Sequence, residues 1–593
     1  MNKEIKTCQS CKNQFTIEPE DFDFYKKIAV PPPTFCPECR LARRMNFRNE
    51  RSMYRRTCDK CQKNIIAIYP EGSPLKIYCQ PCWWSDAWDP MAYGFDYDFS
   101  KNFFEQFKDL AEKVPAMSDF NTSSLNSDYC NYSADCKNCY LFIGGRQSEN
   151  VSFANRVVTS KDSLDLYTGE KLELCYEDVQ CTNSYRLFFS RYSEDCSDSW
   201  FLYDCKNCQN CFGCTNLRGR QYYIFNQPYS KEEYTKKLSQ MNLGSFAALA
   251  KAMERAKKQT SGAIHRYAHI INSPGSTGDN LYNAKNCKAC FDLMGTNSEN
   301  SKHCHYCVVG NKDSYDQYGS PYAEDMYETI AVGFESNENS KYRFSYFIKG
   351  SSDIWYSYNC VSSHNLFGCV GLRNKEYCIF NRQYSKEKYA ALVPRIVAHM
   401  DQMPYTDRGG RQYKYGEFFP AELSPFAYNE TIAQEYFPLT KVVATGRGLA
   451  WKDAEARNYQ VTKAADDLPD HIKDVDDSIL QEIVGCEHAG ACNHQCTTAF
   501  RVTPRELQFY KQMELPLPRA CPNCRHSLRL EQRNPLKLWK GKCKCGGGVS
   551  GVYTNTTTHF HGTDSCPNTF ETSYAPDRPE IVYCEQCYQA EVA

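Results

Sequence analysis

The spacing of the cysteines near both ends of the chain limits most strictly what it can fold into. Zinc prefers four tetrahedral ligands, and a Cys-x2-Cys turn supplies two of them from one tight loop. Four such pairs occur between Cys8 and Cys82, enough for two complete sites. The predicted ligands are Cys8, Cys11, Cys36 and Cys39 in the first module, and Cys58, Cys61, Cys79 and Cys82 in the second.

The same two modules recur near the C-terminus. The pair that begins at Cys36 recurs at Cys521, and the pair that begins at Cys79 recurs at Cys584. Both ends of the chain are therefore predicted to hold the same pair of metal-binding modules. The predicted ligands of the C-terminal pair are Cys492, Cys496, Cys521 and Cys524, followed by Cys543, Cys566, Cys584 and Cys587.

The fourth ligand of the third site has alternatives. Asn493 stands at the position that matches Cys8, so this ligand must come from a neighbouring residue. Cys492 is favoured, and His494 is the alternative. The sequence leaves two further candidates of the same loop unassigned, Cys486 and His488.

The first ligand of the fourth site is also open. Cys543 and Cys566 match Cys58 and Cys61 but lie much farther apart, because a segment is inserted between them. The insertion contains Cys545, His559 and His561. Cys545 could take the place of Cys543 as a ligand.

Composition favours metal ligands over disulfide bonds. The 593-residue chain has 35 cysteines, but it shows no export signal at its start and no long apolar run. Cytoplasmic proteins keep their cysteines reduced, so paired cysteines indicate metal ligands there. We expect a cytoplasmic protein with no membrane segment that binds about four Zn2+ ions, one per module.

The first module resembles a known type of domain. Residues 8–40 contain Cys-x2-Cys, a Phe-Thr step, an acidic turn before Phe-Tyr, and then proline before Cys-x2-Cys-Arg. This pattern resembles the zinc-ribbon domain of treble-clef type. The order of domains along the chain resembles an uncharacterised bacterial family of zinc-ribbon proteins with repeats in the middle. The resemblance implies zinc ligation and an architecture, and it implies no activity.

An arginine-rich segment follows the first module at each end. On a helix, Arg40, Arg44, Arg48 and Arg51 would share one face. Because the net charge is only −1, nucleic-acid binding would need such a local patch of guanidinium groups. The other interpretation is a solvated or protein-facing surface paired with acids. The predicted nucleic-acid-binding residues are Arg40, Arg43, Arg44, Arg48, Arg51, Arg55, Arg56, Arg525, Arg529 and Arg533.

Three tryptophans close the second module. Trp83, Trp84 and Trp88 could offer a stacking surface for bases. The favoured interpretation is that they seal this small module against the next segment.

The middle of the chain is duplicated as well. Residues 212–234 recur at 367–389. A step of Asn or Asp, a small or apolar residue and usually an aromatic residue returns about every 12 residues, for example at Asp198 and Asn210. We expect two β-solenoids in which two such units form one coil of roughly 24 residues.

The first repeat copy contains four cysteines at every third position, which could hold zinc or an iron–sulfur cluster. These are Cys205, Cys208, Cys211 and Cys214. Only two of their counterparts in the second copy are cysteines, so stacked core cysteines are favoured. The counterparts are Cys360, Ser363, Leu366 and Cys369. A further metal candidate, with a solenoid turn as the other interpretation, comprises His303, Cys304, His305 and Cys307.

The sequence therefore predicts a mainly β, multidomain chain, with zinc-ribbon or treble-clef modules at both ends flanking two duplicated β-solenoid regions with intervening helices. The predicted segments are 1–56 (treble-clef-like module), 57–92 (zinc ribbon), 93–120 (helical linker), 121–226 (first solenoid), 227–280 (helical segment and linker), 281–383 (second solenoid), 384–485 (helix, aromatic and proline-rich strap, acidic linker), 486–535 (treble-clef-like module) and 536–593 (zinc ribbon with insertion).

No catalytic site is predicted. Sites filled by cysteine leave no open metal position, and no nucleotide-binding loop or hydrolase motif stands out. The favoured function is binding of RNA or DNA through the arginine-rich modules. The alternatives are a protein-interaction scaffold built on the solenoids and, less favoured, an enzyme or iron–sulfur redox protein. No small-molecule substrate is identified.

Overall fold

Two small modules begin the chain, N1 (residues 2–56) and N2 (residues 57–92). The computed structural model describes residues 2–294, 297–307, 310–320, 323–334, 340–453, 459–547 and 553–592. Each module has an antiparallel hairpin and then a helix that a cysteine caps and that has proline in its first turn. The elements are β1 (Glu4–Thr7), β2 (Gln14–Ile17), α1 (Pro19–Lys27), α2 (Pro37–Met45), β3 (Tyr54–Thr57), β4 (Asn64–Ala67), β5 (Ile77–Tyr78) and α3 (Gln80–Trp84).

A short linker leads into the first solenoid, residues 121–226. The linker helix begins where the Asn102 side chain accepts a hydrogen bond from the Glu105 N–H. The linker elements are a 3-10 turn (Pro90–Tyr93), α4 (Phe103–Lys113) and β6 (Ala116–Met117). The solenoid strands are β7 (Asn121–Thr122), β8 (Ser133–Ala134), β9 (Asn155–Val158), β10 (Tyr167–Glu173), β11 (Val179–Phe188), β12 (Ser197–Trp200), β13 (Gln209–Phe212), β14 (Gln221–Ile224) and β15 (Gln227–Pro228).

One coil of the first solenoid is half as long as predicted. Residues that pair in parallel on neighbouring coils are 12 positions apart in the sequence. Examples are Tyr167 with Val179 and Lys137 with Glu149. Every third residue has a positive φ, which lets the chain turn four corners within one coil. The predicted 24-residue coil is therefore corrected to a 12-residue coil.

The recurring Asn and Asp residues occupy these left-handed corners. Asn138 and Asn150 have φ values of 53° and 59°, which Asn adopts more readily than most residues. Their side chains also form a ladder between coils, because the Asn138 amide donates to Asn150 Oδ1 at 3.1 Å and Asn150 donates to Asp162 at 2.6 Å. The residue after each corner points into the core, as Cys139 does.

The second solenoid, residues 278–383, has irregular coils at its start. Phe291 pairs in parallel with His305, and Tyr327 pairs with Arg343, so both of these coils are longer than the regular coil of the first solenoid. From Tyr342 onward the regular spacing returns, as in Tyr342 with Ile354. The elements between the solenoids are α5 (Lys231–Gln240), α6 (Phe246–Ser261), β16 (Ile264–Arg266) and β17 (Ile270–Ile271).

The strands of the second solenoid belong to two separate sheets, and the larger one is the longest sheet of the described residues. They are β18 (Gly278–Tyr282), β19 (Ala284–Lys285), β20 (Cys290–Leu293), β21 (Ser298–Glu299), β22 (His305–Cys307), β23 (Asn311–Lys312), β24 (Tyr315–Ser320), β25 (Ala323–Glu324), β26 (Tyr327–Phe334), β27 (Tyr342–Arg343), β28 (Tyr346–Lys349), β29 (Ser352–Trp355), β30 (His364–Phe367), β31 (Glu376–Ile379) and β32 (Arg382–Gln383).

The solenoids lie side by side and run in opposite directions. Phe120, near the start of the first, stacks on Phe347, near the end of the second, with ring centroids 4.4 Å apart. Toward the other end of the pair, Gln180 donates to Asp292 at 3.1 Å. This antiparallel arrangement relates the two repeat copies by an approximate two-fold axis.

An aromatic strap follows the second solenoid. Phe418 and Phe419 are fully buried, and Phe419 packs on Phe107 of α4 with ring centroids 4.5 Å apart. The strap thereby joins N1, α4 and the second solenoid in one hydrophobic core. The segment from residue 384 to 485 contains α7 (Lys386–Gln402), β33 (Tyr405–Thr406), β34 (Gln412–Tyr413), α8 (Ile432–Tyr436), α9 (Lys441–Gly446), β35 (Val484–Gly485) and five 3-10 turns (Ala421–Leu423, Tyr428–Glu430, Ala465–Asp467, Ile472–Asp474 and Asp477–Gln481).

Two modules end the chain, C1 (residues 486–535) and C2 (residues 536–592). Their elements are β36 (Ala499–Phe500), α10 (Pro504–Gln512), α11 (Pro522–Glu531), β37 (Trp539–Lys542), β38 (Thr569–Thr572), β39 (Ile581–Tyr583) and α12 (Glu585–Val592). Strand β39 pairs in parallel with β16, which ties C2 to the segment between the two solenoids. Throughout the described ranges, every helix is too short or too polar to cross a bilayer.

Each terminal module packs on the solenoid that is farther away along the chain. Tyr25 of N1 contacts Tyr327 of the second solenoid, with ring centroids 5.5 Å apart. Tyr510 of C1 contacts Tyr176 of the first solenoid at 5.7 Å. These two contacts correspond, because Tyr510 matches Tyr25 between the ends and Tyr327 matches Tyr176 between the repeats. The modules therefore dock crosswise.

Candidate metal centres

Four groups of four cysteines come together, one in each terminal module. Within each group all four sulfur atoms lie within 4.8 Å of one another. This clustering could hold metal ions at both ends of the chain and is compatible with modules of the zinc-ribbon kind. The groups are Cys8, Cys11, Cys36 and Cys39; Cys58, Cys61, Cys79 and Cys82; Cys486, Cys496, Cys521 and Cys524; and Cys543, Cys566, Cys584 and Cys587.

Each of the four centres contains an equivalent backbone hydrogen bond. In each, the N–H of the cysteine that caps or precedes the helix donates to the first thiol of the group. The pairs are Cys36 to Cys8 (3.3 Å), Cys79 to Cys58 (3.3 Å), Cys521 to Cys486 (3.2 Å) and Cys584 to Cys543 (3.1 Å). This bond identifies the equivalent first ligand in every centre.

The shared bond bears on both assignments that the sequence leaves open. In C1 the equivalent of Cys8 is Cys486, not Cys492, which lies 3.7 Å from Cys524 but outside the four-cysteine group. The structure therefore places Cys486, rather than the predicted Cys492, in the four-cysteine group. In C2 the first ligand is Cys543, and Cys545 instead lies 3.4 Å from His559 Nδ1.

Backbone donors favour the thiolate form at two of these cysteines. Burial alone would raise the pKa of Cys58, but the N–H groups of Cys61 and Cys79 outweigh it and lower the pKa to about 6. At Cys521 burial also raises the pKa, and hydrogen bonds from Thr497 and Cys524 lower it to about 7. Because a metal binds the thiolate, these hydrogen bonds favour the ligand form of Cys58 and Cys521.

The arginines of N1 lie inside the protein. Arg40, Arg43, Arg44 and Arg48 are almost completely buried. Arg40 donates to Asp316 at 2.7 Å and Arg43 to Glu328 at 2.8 Å, and both carboxylates belong to the second solenoid. The guanidinium stripe on α2 therefore pairs with carboxylates of its own chain.

The arginines of C1 repeat this arrangement on the first solenoid. Arg529 is fully buried and lies 2.8 Å from Asp165 and 2.7 Å from Glu177. Arg525 lies 3.1 Å from the same Asp165. Asp165 and Glu177 occupy the repeat positions that match Asp316 and Glu328, so the acidic partners are duplicated along with the arginines.

The remaining arginines of the predicted set have mixed surroundings. Arg533 contacts Asp292 at 3.5 Å, and Arg56 contacts Asp59 at 3.0 Å. Two guanidinium nitrogens of Arg51 are buried without a hydrogen-bond partner among the described residues. Arg55 is solvent-exposed and donates to the Tyr129 hydroxyl at 3.0 Å.

The tryptophans of N2 pack inward for the most part. Trp83 is fully buried and donates its indole N–H to the Pro115 carbonyl at 3.1 Å. Trp88 donates to the Trp83 carbonyl at 2.8 Å, while Trp84 remains 39% exposed. Arg373 of the second solenoid lies over Trp83 and Trp88, so these two rings join N2 to that solenoid.

The cysteines within the repeats line the solenoid core. Cys205, Cys208, Cys211 and Cys214 are the four inward residues of one coil, and each thiol donates to a backbone carbonyl, at 3.4 to 3.5 Å. The second candidate group separates, because Cys304 and Cys307 belong to the core of the other solenoid while His305 stacks on Phe291.

A buried histidine helps to fix C2 to the first solenoid. His269 lies 3.3 Å from Asp279 and 3.7 Å from Asp204, and Asp204 accepts a hydrogen bond from the Tyr588 hydroxyl of α12 at 2.8 Å. Burial lowers the pKa of His269, but the two carboxylates outweigh it and raise the pKa to about 9.

We expect His269→Gln to remove a pH-dependent part of the stability. Because the folded pKa of His269 is raised above its ordinary value of 6.5, the charged pair stabilises fully below pH 6.5 and is lost as pH rises through about 9. The difference in unfolding free energy between wild type and variant should therefore shrink over that range, measured by urea unfolding at several pH values. A difference that stays constant would contradict the charged form of His269.

Comparisons with known proteins identify no family. No protein family and no curated protein sequence matches the chain. Among solved structures, a proposed acetyltransferase from Desulfovibrio desulfuricans is 7% identical, and the match covers 46% of this chain and 71% of that one with a TM-score of 0.10. A TM-score this low carries no argument about fold or activity.

Sequence reasoning missed the acidic partners of the arginines. Asp165, Glu177, Asp316 and Glu328 are buried or nearly so, and they lie on the solenoids far along the chain from the arginines they bind. Their signal was the common offset between the two repeat copies, which preserves both carboxylates. Acidic residues kept at the same corners in both repeat copies would have indicated a buried cationic partner.

Proposed function

We propose that this chain is a non-catalytic, zinc-binding scaffold that presents the outer faces of its solenoids to a protein partner. The proposal rests on where the four candidate metal centres lie. They belong to terminal modules, and buried ion pairs attach these modules to the solenoids. Metal at these centres would hold the shape of the whole chain.

The ligand chemistry supports zinc in structural rather than catalytic centres. Four thiolates satisfy the tetrahedral preference of zinc, and soft thiolate ligands select against magnesium, calcium and manganese. A catalytic zinc centre keeps one position for water or substrate, whereas each of these groups offers four cysteines. The resemblance of N1 and C1 to zinc-ribbon domains of treble-clef type agrees with this assignment.

The solenoids offer a repeated, exposed surface for the partner. Lys137 and Glu149 pair at 2.8 Å on one outward face of the first solenoid, and their side chains are 56% and 39% exposed. The bridge ladder continues through Lys161 and Glu173. An alternating ladder of lysine and glutamate therefore runs along this face.

The second solenoid repeats this ladder. Glu299 pairs in register with Lys312, and Lys312 with Glu324 at 3.7 Å. Lys285 lies in register with Glu299 at the start of the ladder. Two copies of one charge pattern on one rigid chain would suit a partner with the complementary alternation, since electrostatic complementarity sets register and specificity.

Nucleic-acid binding is the second candidate, on different residues from those the sequence indicated. Lys540 and Lys542 are exposed on β37, beside the partly exposed Trp539. Lysines next to an aromatic ring can contact phosphates and stack on a base. Because most of the predicted arginines are buried, this small patch is the observation that favours binding of RNA or DNA.

One comparison of variants separates the two candidates. Alanine at Lys137, Lys161, Lys285 and Lys312 is expected to weaken binding of a stoichiometric protein partner at least tenfold, as measured by affinity purification, mass spectrometry and titration. A matched control carries alanine at four exposed helix lysines, Lys231, Lys236, Lys257 and Lys258. Equal binding by ladder variant and control would contradict the scaffold proposal. Salt-sensitive binding of RNA or DNA that is lost in Lys540→Ala/Lys542→Ala would support the second candidate.

A further inference from the structure

The ligands left over in C1 form a second set of their own. His488, Cys492 and His494 come from the loop between the first two ligands of the four-cysteine centre. Together with Cys524 they bring two nitrogens and two sulfurs within 4.8 Å of one another. Two histidines and two cysteines are a recognised ligand set for zinc. Cys524 therefore belongs to both sets.

Both imidazoles are arranged as ligands. The Nδ1 atoms of His488 and His494 are buried and have no hydrogen-bond partner among the described residues. The opposite nitrogen of His494, Nε2, lies 3.0 Å from the Glu531 carboxylate at the end of α11. A metal-bound histidine typically donates its other N–H to a carboxylate, which fixes the tautomer and the ring orientation. His494 has this second partner already in place.

The sulfur distances fit two tetrahedra that share one corner. For a tetrahedral ion with zinc–sulfur bonds of about 2.3 Å, neighbouring sulfurs lie about 3.8 Å apart. Cys524 Sγ lies 3.9 Å from Cys486 Sγ in the first set and 3.7 Å from Cys492 Sγ in the second. One sulfur thus has tetrahedral spacing to both groups.

We propose that C1 holds two zinc ions bridged by the Cys524 thiolate. One ion takes Cys486, Cys496 and Cys521 as its other ligands, and the second takes His488, Cys492 and His494. Two divalent ions offset four of the five thiolate charges, so the second ion reduces the negative charge that four cysteines would place on a single ion. The bridge also fixes the 486–496 loop to the start of α11.

The N-terminal end of the chain provides an internal contrast. Residues 1–92 contain no histidine, so N1 and N2 have no comparable second set. In C2, by contrast, His561 Nε2 lies 3.3 Å from Cys587, the second cysteine of the equivalent Cys-x2-Cys pair. An imidazole therefore approaches the corresponding sulfur in both C-terminal modules and in neither N-terminal one.

The first test is a zinc count on the purified full-length chain. The bridge rests on the proposed zinc occupancy of the four-cysteine centres, and the count separates the two ideas. We expect at least five zinc ions per chain by elemental analysis, and a loss of one in His488→Ala/His494→Ala. The exposed His364→Ala serves as the matched control and should lose none. An unchanged count in the double variant overturns the second ion, whereas fewer than four ions in wild type would overturn the proposed zinc scaffold.

The second test asks whether the two ions share a sulfur. In the cobalt(II)-substituted protein, two ions joined by one thiolate couple magnetically, so their paramagnetic resonance signal is weaker than that of two isolated ions. Removing the second ion with His488→Ala/His494→Ala should therefore lower the cobalt content by one and yet raise the integrated signal. A signal that falls in proportion to the cobalt lost would mean separate sites. If the double variant does not fold, Cys492→Ser gives the same comparison with only one ligand changed.

Discussion

Serine at both Cys36 and Cys39 is expected to unfold N1 and to lower the zinc content of the chain by one ion. A module of this size has only a small apolar core of its own, and a structural zinc ion contributes on the order of 10 kcal/mol to folding. Because α2 begins at this cysteine pair, the loss of metal should also release its arginines from Asp316 and Glu328. Zinc analysis and urea unfolding of the purified variant measure both effects.

The matched control replaces two cysteines of the solenoid core. Cys360 and Cys369 are fully buried and follow left-handed corners, and Cys369 lies one coil after Ser357 in the same column. Cys360→Ser/Cys369→Ser should keep the full zinc content and lose only about 1–3 kcal/mol of stability. If this control lost zinc, or if the N1 variant kept it, the assignment of the metal ligands would be contradicted.

The second large effect is expected from Arg529→Met, which removes the cation between Asp165 and Glu177. All three groups lie in the contact between C1 and the first solenoid. Loss of one partner leaves uncompensated buried charge, which typically costs about 3–5 kcal/mol. Burial already raises the pKa of Glu177 to about 7 despite Arg529, so the variant should push this carboxyl further toward its protonated form. Urea unfolding near neutral pH measures the loss.

The equivalent change at the other end tests the approximate two-fold symmetry. Arg44→Met removes the arginine that matches Arg529, next to Asp316 and Glu328, and should have an effect of the same order. Lys108→Met removes one partner of a surface pair with Glu112 and should change stability by less than about 1 kcal/mol. If both buried variants behaved like this surface control, the buried ion pairs would not be what docks the modules.

The clusters of cysteines could be predicted from the sequence because their information is local. A Cys-x2-Cys pair sets two ligands on one turn whatever the rest of the chain does, and the duplication shows which pairs belong together. Cys486 could not be predicted in this way, because the 486–496 loop differs from the N-terminal copy at the position of this ligand. The clustering of the four sulfurs and the backbone hydrogen bond from Cys521 place Cys486 in the position of Cys8.

The burial of the arginines could not be predicted, because it depends on contacts across most of the chain. Arg40 and Asp316 are 276 residues apart, and the periodicity of α2 is the same whether its basic face meets solvent, phosphate or carboxylate. The length of a coil was uncertain for a different reason. The 12-residue step is visible in the sequence, but the sequence alone does not show that one step, with its four corners, completes a coil.

Crosswise docking has a consequence for how the chain stays together. A single cut in the loop near Gly275 would yield two pieces of similar length. Neither piece would contain the solenoid on which its own terminal module packs. N1 would still pack on the second piece, and C1 would still pack on the first. The two pieces should therefore remain one particle after proteolysis, and they could be produced separately and combined, as though the gene encoded two interlocked subunits.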